Sequence, residues 1–327
     1  MLLYQALSLG NILFYLSFRV FMMENKTPKR IAIFAAYNAG GKVSDYVFTY
    51  LKYLKNVAQE IIYVADNELS EEEAFKVELY AKHIFAKFHG EYDFGSYKRG
   101  IEYAKNNLNL ENYDELILCN DSCYAMYSFD SAFDKMSGEE CDLWGMTKNY
   151  EIKPHLQSYF LVFKKNVFLN PNFYEYFAKV KKLDDYHQIV ETYEVPLLTY
   201  LESFGFKGGA VFELGNQTNP TLLPIKCLQV GVPFIKRKQF NSEFIIKHSS
   251  SLFNLISYLK YNYPNGYKEI LKDIGEKAEK VIFKACWDNN PFLRFLYQKN
   301  ISKRGLVRYR IFRIPVFMYF SKNDKKE

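Results

Sequence analysis

Tryptophan is nearly missing from this 327-residue chain, with 2 copies, and cysteine is held to five. Those five, Cys119, Cys123, Cys141, Cys227 and Cys286, are odd in number and scattered. The pattern argues against a disulfide framework, and no second pair joins Cys119 and Cys123 to complete a zinc site; reduced cytoplasmic thiols are expected. Neither a Walker-type phosphate loop nor a dinucleotide fingerprint occurs, which argues against a P-loop enzyme and a nicotinamide oxidoreductase. Arginine-rich tracts and RNA-binding signatures are missing too. The formal charge of +6, from 43 Lys+Arg against 37 Asp+Glu, therefore does not indicate nucleic acid. It is a mild excess that suits anionic ligands or an anionic membrane surface. Internal repeats and low-complexity segments are absent.

What is present is a chain that folds. It is 49% hydrophobic and 24% charged, and its length allows one large core or a core with a smaller appendage. The 28 Tyr and 29 Phe can fill that core or stack on ligand rings. Met1 to Phe18 carries no charge but is interrupted by Gln5, Ser8, Asn11 and Ser17. A membrane anchor, an interfacial helix and upstream sequence before a true start at Met22 or Met23 all remain open for it. At the other end, residues 303–320 mix Arg304, Arg308, Arg310 and Arg313 with apolar side chains. That composition suits a segment resting on anionic lipid or a solvated face.

From Lys29 to about Gly145, strand and helix signals alternate. Arg30 to Ala36 is an apolar run closed by Tyr37-Asn38-Ala39-Gly40-Gly41, and Val43, Val47, Tyr50, Leu51 and Leu54 follow at helical spacing. Glu60 to Ala65 is a second strand, closed by Asp66-Asn67. Ser70 with Glu73 forms a capping box. His83 to Phe88 is a weaker strand, Ser96 to Asn106 a helix, and Glu115 to Cys119 a strand running into Asn120-Asp121. Such alternation predicts a mostly parallel sheet with helices on both faces, and ligands of such sheets gather at the carboxyl ends of the strands. In the second half, His155 to Lys164 reads as a strand. Asn170-Pro171 starts a helix, and a helical stretch from Tyr186 to Phe204 is expected to break at Pro196. Helices are expected over Ser250 to Cys286.

Three places can carry chemistry. LILCNDSCY, residues 116–124, puts Asp121 at a strand end, where it can hold Mg²⁺ or Mn²⁺ against a diphosphate leaving group; a strand-end Asp is also a common turn former. GEYDFGSYKRG, residues 90–100, offers glycines and a helix start for a phosphate or base, or an ordinary loop-to-helix joint. Asp66 can pair with a base or ribose, or form an Asx turn.

IAIFAAYNAGGKVSDYV, YDFGSYKRGIEY, YDELILCNDSCY, HLQSYFLVF and GVPFIKR, in that order over roughly residues 30–240, resemble the rhamnan synthesis protein F family. The resemblance implies a GT-A-like fold: an α/β domain over 29–245 with a mostly parallel sheet, preceded by the apolar segment 1–28 and followed by a helical, basic extension over 246–327. It implies a glycosyltransferase, plausibly moving L-rhamnose from a dTDP-sugar to a lipid-linked surface-polysaccharide intermediate. Such an enzyme would work in the cytoplasm, peripherally attached to the inner face of the plasma membrane. Asp121 matches the last acid of the metal-binding DxD element; Cys119 or Asn120 stands where the first would be. The donor would lie along Ala36, Tyr37, Asp66, Asp93, Gly95, Tyr97, Lys98 and Asn120, with His155, Lys236 and Arg237 as further contacts. Glu194, and next to it Glu191, are the candidate bases for the acceptor hydroxyl. The incomplete DxD element keeps one alternative open, a non-catalytic member of an assembly complex that binds glycan or a partner.

Overall fold

The structure, a computed structural model, describes residues 27–215, 218–241, 252 and 254–275, and the backbone of 297–301, 306–311 and 314–320. The strands are β1 (Arg30–Ala36), β2 (Glu60–Ala65), β3 (His83–Ala86), β4 (Glu115–Asn120), β5 (Cys123–Ala125), β6 (Leu143–Asn149), β7 (His155–Leu156), β8 (Phe160–Lys164), β9 (Gly208–Glu213) and β10 (Phe234–Lys236). Among the described residues eight of these share one sheet, in the order β3-β2-β1-β4-β8-β6-β7, with β9 also on β6. β1 is parallel to β2 and β4, and β2 to β3. β8 runs antiparallel between β4 and β6, and β9 returns parallel to β6. The sheet is mostly parallel, as the strand–helix alternation predicts. β5 and β10 pair separately, antiparallel.

β1 shows why its sequence reads as one apolar run. All seven residues are buried, because the strand is central and covered on both faces. Ala32, Phe34 and Ala36 enter one hydrophobic cluster, while Ile31, Ile33 and Ala35 enter the other. The first face packs under helix α1 (Asp45–Val57), whose Tyr50 meets Phe34 edge-on at 5.1 Å. Helix α2 (Glu71–Glu78) starts at the expected cap, with Ser70 accepting from the Glu73 N–H. Helix α3 (Tyr92–Asn107) lies on the second face. Much of the Phe and Tyr content is spent in these layers; Phe129 lies 5.0 Å from Phe234, and Phe163 5.0 Å from Phe173.

Two local expectations differ from the structure. α3 begins four residues before Ser96, so Gly95 and Gly100 lie inside a helix and do not form a ligand loop. A Cβ on Gly100 would stand 2.4 Å from Ile33 Cγ2; this glycine lets the helix approach β1. Further on, after helix α4 (Asp130–Ser137) and helix α5 (Pro171–Ala178), helix α6 (Tyr186–Ile189) does not break at Pro196. It widens into a π turn over Val190–Glu194 and continues as α7 (Val195–Glu202), with Pro196 in the new first turn. A π turn places one extra residue in the turn and often marks a functional site.

The chain after residue 245 is helical in its first described part. Residues 254–262 and helix α8 (Pro264–Ile274) pack on the molecule, with Thr49 donating to Glu269 at 2.6 Å and Arg237 paired with Asp273 at 3.1 Å. Tyr297–Ile301, Leu306–Ile311 and Ile314–Phe320 form three antiparallel strands, which corrects the expectation of a helical extension over 246–327: their apolar and β-branched residues pair as strands. The apolar segment 1–26 lies outside the described residues. Among the described residues no helix is long and apolar enough to cross a membrane.

Candidate active site

The carboxyl ends of β1, β2 and β4 open into a cavity of about 450 Å³. Parallel strands deliver their last residues to one edge, so Ala36, Tyr37, Asp66, Asn120, Asp121 and Ser122 line its floor. The start of α3 adds Gly90, Tyr92 and Asp93. Lys182, Leu183 and Asp184 from the segment before α6, Tyr186 at its start, and Phe88 complete the lining.

Asp121 is where the sequence places it. Its Oδ2 accepts from the Tyr37 N–H at 2.9 Å, and its backbone carbonyl accepts from the Tyr46 hydroxyl at 2.9 Å. Burial raises its carboxyl to about 6, against the pull of the Tyr37 N–H and the Arg237 charge. Asn120 turns the other way, donating from Nδ2 to Asp93 Oδ2 at 2.8 Å, while its Oδ1 accepts from the Ser122 hydroxyl at 2.6 Å. Lys236, at the end of β10, reaches Ser122 Oγ at 3.1 Å and lies 4.1 Å over the Tyr159 ring. Asp66 has a defined load. Its Oδ1 accepts from the His89 and Gly90 N–H groups at 2.6 and 2.7 Å, which folds the turn before α3.

That turn is strained. Gly90 has φ +68°, which suits glycine, but Tyr92 has φ +56° and is the one non-glycine residue with positive φ among the described residues. The cost is of order 1 kcal/mol, and such outliers concentrate at ligand sites. Tyr92 lines the cavity beside Tyr186, ring centroids 6.2 Å apart. Tyr37, Phe88 and Tyr186 are 54%, 63% and 50% exposed, so ring faces stay open to a planar ligand.

Behind Asp93 lies a buried layer. Ser158 donates its N–H to Glu194 Oε2 at 3.0 Å, and its hydroxyl makes a short hydrogen bond to the same oxygen. The same hydroxyl stands 3.4 Å from Asp93 Oδ2. His155 Nε2 lies 3.6 Å from Glu194 Oε1, and its Nδ1 donates to the Lys153 carbonyl at 2.7 Å. Burial opposes the Glu194 charge, but His155, Ser158 and Lys236 outweigh it and hold the carboxyl below its usual range. Burial likewise opposes a charged His155, and Glu194 with the Lys153 carbonyl outweighs it, so the imidazole is raised. Burial and then the Glu194 charge lift Asp93 to about 6.

The structure thus brings Ala36, Tyr37, Asp66, Asp93, Asn120 and Asp121 to one cavity, with Lys236 held behind Ser122. Other expected contacts lie elsewhere. Gly95 faces Glu91 and His89. Tyr97 is buried with its hydroxyl on the Ser158 carbonyl at 2.9 Å, and Lys98 reaches the Val180 carbonyl at 3.1 Å. Arg237 is paired with Asp273 and lies 4.8 Å over the Tyr46 ring. His155 and Glu194 sit one layer behind the lining, and Glu191 is exposed on the π turn. Sequence inspection misses Ser122, Ser158, Tyr92, Lys182 and Tyr186. Ser122 alone had a signal, next to Asn120-Asp121; Ser158 arrives through a bend that splits one expected strand into β7 and β8.

No three His, Cys, Asp or Glu side chains among the described residues cluster as metal ligands. A cation at Asp121 would therefore take one carboxylate from the protein and its other ligands from phosphates and water. Mg²⁺ is commonly held this way.

These features define an α/β protein with a cleft at the carboxyl ends of its parallel strands, lined by acidic and aromatic side chains. The model of the rhamnan synthesis protein F family matches residues 61–290, and the chain belongs to that family. Virulence protein VirA of Vibrio anguillarum is 28% identical over 190 residues, 56% of this chain and 59% of that protein. An uncharacterised protein y4gN of Sinorhizobium fredii is 25% identical over 182 residues, 54% of this chain and 46% of its own length. The chain thus spans about half the length of the curated relatives it matches. Among solved structures, 4-diphosphocytidyl-2C-methyl-D-erythritol synthase from Anaerococcus prevotii is similar over 63% of this chain and 98% of that one, at 12% identity and a TM-score of 0.34. A likeness at that level speaks to neither substrate nor chemistry.

Proposed function

We propose that this chain is a glycosyltransferase of polysaccharide biosynthesis that takes its sugar from a nucleotide-activated donor. The observation that carries the proposal is Asp121 at the cavity floor, beside open aromatic faces and the Asn120–Ser122–Lys236 chain. A nucleoside diphosphate needs a planar surface for its base and compensation for the charge that grows as the glycosidic bond breaks. Tyr37, Phe88 and Tyr186 offer the first. For the second, Asp121 would hold Mg²⁺ or Mn²⁺, which supplies Lewis-acid stabilisation of the departing diphosphate when bound.

The finer parts rest on the family. A rhamnan-synthesis family favours L-rhamnose, carried on dTDP, and a lipid-linked glycan as acceptor. The basic and apolar composition of 303–320 favours peripheral attachment at the cytoplasmic face of the membrane. A panel of dTDP-rhamnose, UDP-glucose and GDP-mannose, screened for binding with and without Mn²⁺, tests the proposal. Saturable binding of one donor supports it. Failure of every donor and every nucleoside diphosphate favours the non-catalytic glycan- or partner-binding role that the incomplete DxD element leaves open.

A further inference from the structure

Four carboxylates line the cavity, and three are accounted for. Asp66 is committed to two backbone N–H groups, Asp121 faces the Tyr37 N–H and the Arg237 charge, and Asp184 is exposed on the connecting segment. Asp93 is different. It stands between the cavity and a buried acid, with Ser158 between the two carboxylates. The Ser158 hydroxyl is within hydrogen-bonding reach of both acids, with Glu194 Oε2 its nearer acceptor and Asp93 Oδ2 its second at 3.4 Å, so one hydroxyl links the two carboxylates.

We propose that Asp93 is the proton acceptor of the transfer step, and that the Glu194–His155 pair positions it through Ser158. The inference rests on the glycosyltransferase function proposed above and deepens it. In the step, Asp93 takes the proton of the acceptor hydroxyl. That oxygen forms the new bond to the anomeric carbon, the bond from that carbon to the diphosphate oxygen breaks, and its electron pair leaves with the nucleoside diphosphate. Glu194 is a positioning residue because it does not line the cavity.

The electrostatics agree with the geometry. The charged and titratable groups facing Asp93 are Glu194 from the π turn, Lys236 from β10, Asp121 from the end of β4, Tyr97 from its own helix and Tyr186 from α6. Burial and Glu194 raise the Asp93 carboxyl to about 6, while Lys236, the Phe94 N–H and Asn120 hold it down. A base that is ionised at neutral pH, yet basic enough to accept a proton there, is what general-base catalysis requires.

The test uses the full chain and whichever of dTDP-rhamnose, UDP-glucose and GDP-mannose the wild type turns over. It reads nucleoside diphosphate release from pH 5 to 8 and, separately, nucleoside diphosphate affinity by calorimetry. Asp93→Asn is expected to slow release by about 10²- to 10⁴-fold, a loss much larger than any it causes in nucleoside diphosphate affinity. Glu194→Gln removes the charge that raises Asp93, so the acid limb of the rate profile moves to lower pH. Ser158→Ala removes a hydrogen bond to each carboxylate, so the same limb moves to higher pH, which covers the case of a Glu194 variant that does not fold. A merely structural role would scale the rate equally at every pH. Undiminished release by Asp93→Asn, or a matching loss of nucleoside diphosphate affinity, overturns the inference and leaves the transferase function intact. A wild type that binds no nucleoside diphosphate removes both.

Discussion

Tyr37 gives its backbone N–H to Asp121 Oδ2 at 2.9 Å, tying the carboxyl ends of two neighbouring parallel strands, β1 and β4, at the floor of the cavity. The bond fixes one oxygen of the carboxylate to the backbone where the carboxylate meets the cavity. A charge held in that way needs little reorganisation when a ligand's own charge develops beside it.

Holding such charges has a cost in stability, and its sign follows from the pKa directions. Asp93 and Asp121 are raised from 3.8 to about 6, so the folded chain binds protons that the unfolded chain has released across that window. Stability therefore falls as pH rises from 3.8 to about 6, and the whole penalty is present at pH 7. Asp93→Asn or Asp121→Asn is expected to raise unfolding free energy at pH 7 by about 1 to 3 kcal/mol. Urea unfolding at pH 4.5 and 7 checks it; variants no more stable at pH 7 would contradict the assignment.

Glu194 behaves in the opposite sense. Its carboxylate satisfies the Ser158 N–H and hydroxyl and faces His155, all three residues being buried. Glu194→Leu leaves the buried Ser158 N–H without its carboxylate acceptor and His155 without its counter-charge, and is expected to destabilise by about 3 to 5 kcal/mol. Glu191→Leu, on the exposed face of the same π turn, is expected to change stability by less than about 0.5 kcal/mol. Equal effects of the two substitutions in denaturant titrations would remove the structural distinction between them.

Helix α3 holds Asp93 in place because Gly100 lets it rest against β1. Gly100→Ala puts a Cβ 2.4 Å from Ile33 Cγ2 and is expected to cost about 1 to 3 kcal/mol through overpacking. Adding Ile33→Ala removes the clashing methyl, so the double variant should lose less than the sum of the two singles. Additive losses would mean that the contact does not set the helix position.

Much of this was legible in the sequence. The apolar runs of β1, β2 and β4 are strands buried on both faces, and their terminal Tyr37, Asp66 and Asp121 fall at one edge because parallel strands end together. Ser70 caps its helix as read, while the Glu73 carboxylate accepts from the Val43 N–H and from Lys76 in place of completing the box. The site was less legible where the backbone departs from regular periods. Tyr92 in a left-handed conformation starts α3 early, and the π turn rotates Glu194 into the protein while leaving Glu191 outside. Neither event has a spacing signature. Ser158 and Lys182 reach the site through a bend and a connection whose course depends on the packing of the second half.

The most direct measurement is calorimetric titration of the wild type and of Asp121→Ala with dTDP and with UDP, in Mn²⁺ and in EDTA. The account predicts that the wild type binds one of them more tightly in Mn²⁺, and that Asp121→Ala loses about tenfold or more, at least 1.4 kcal/mol, in the presence of the metal. Equal affinity of the two proteins, with the same response to EDTA, would contradict it.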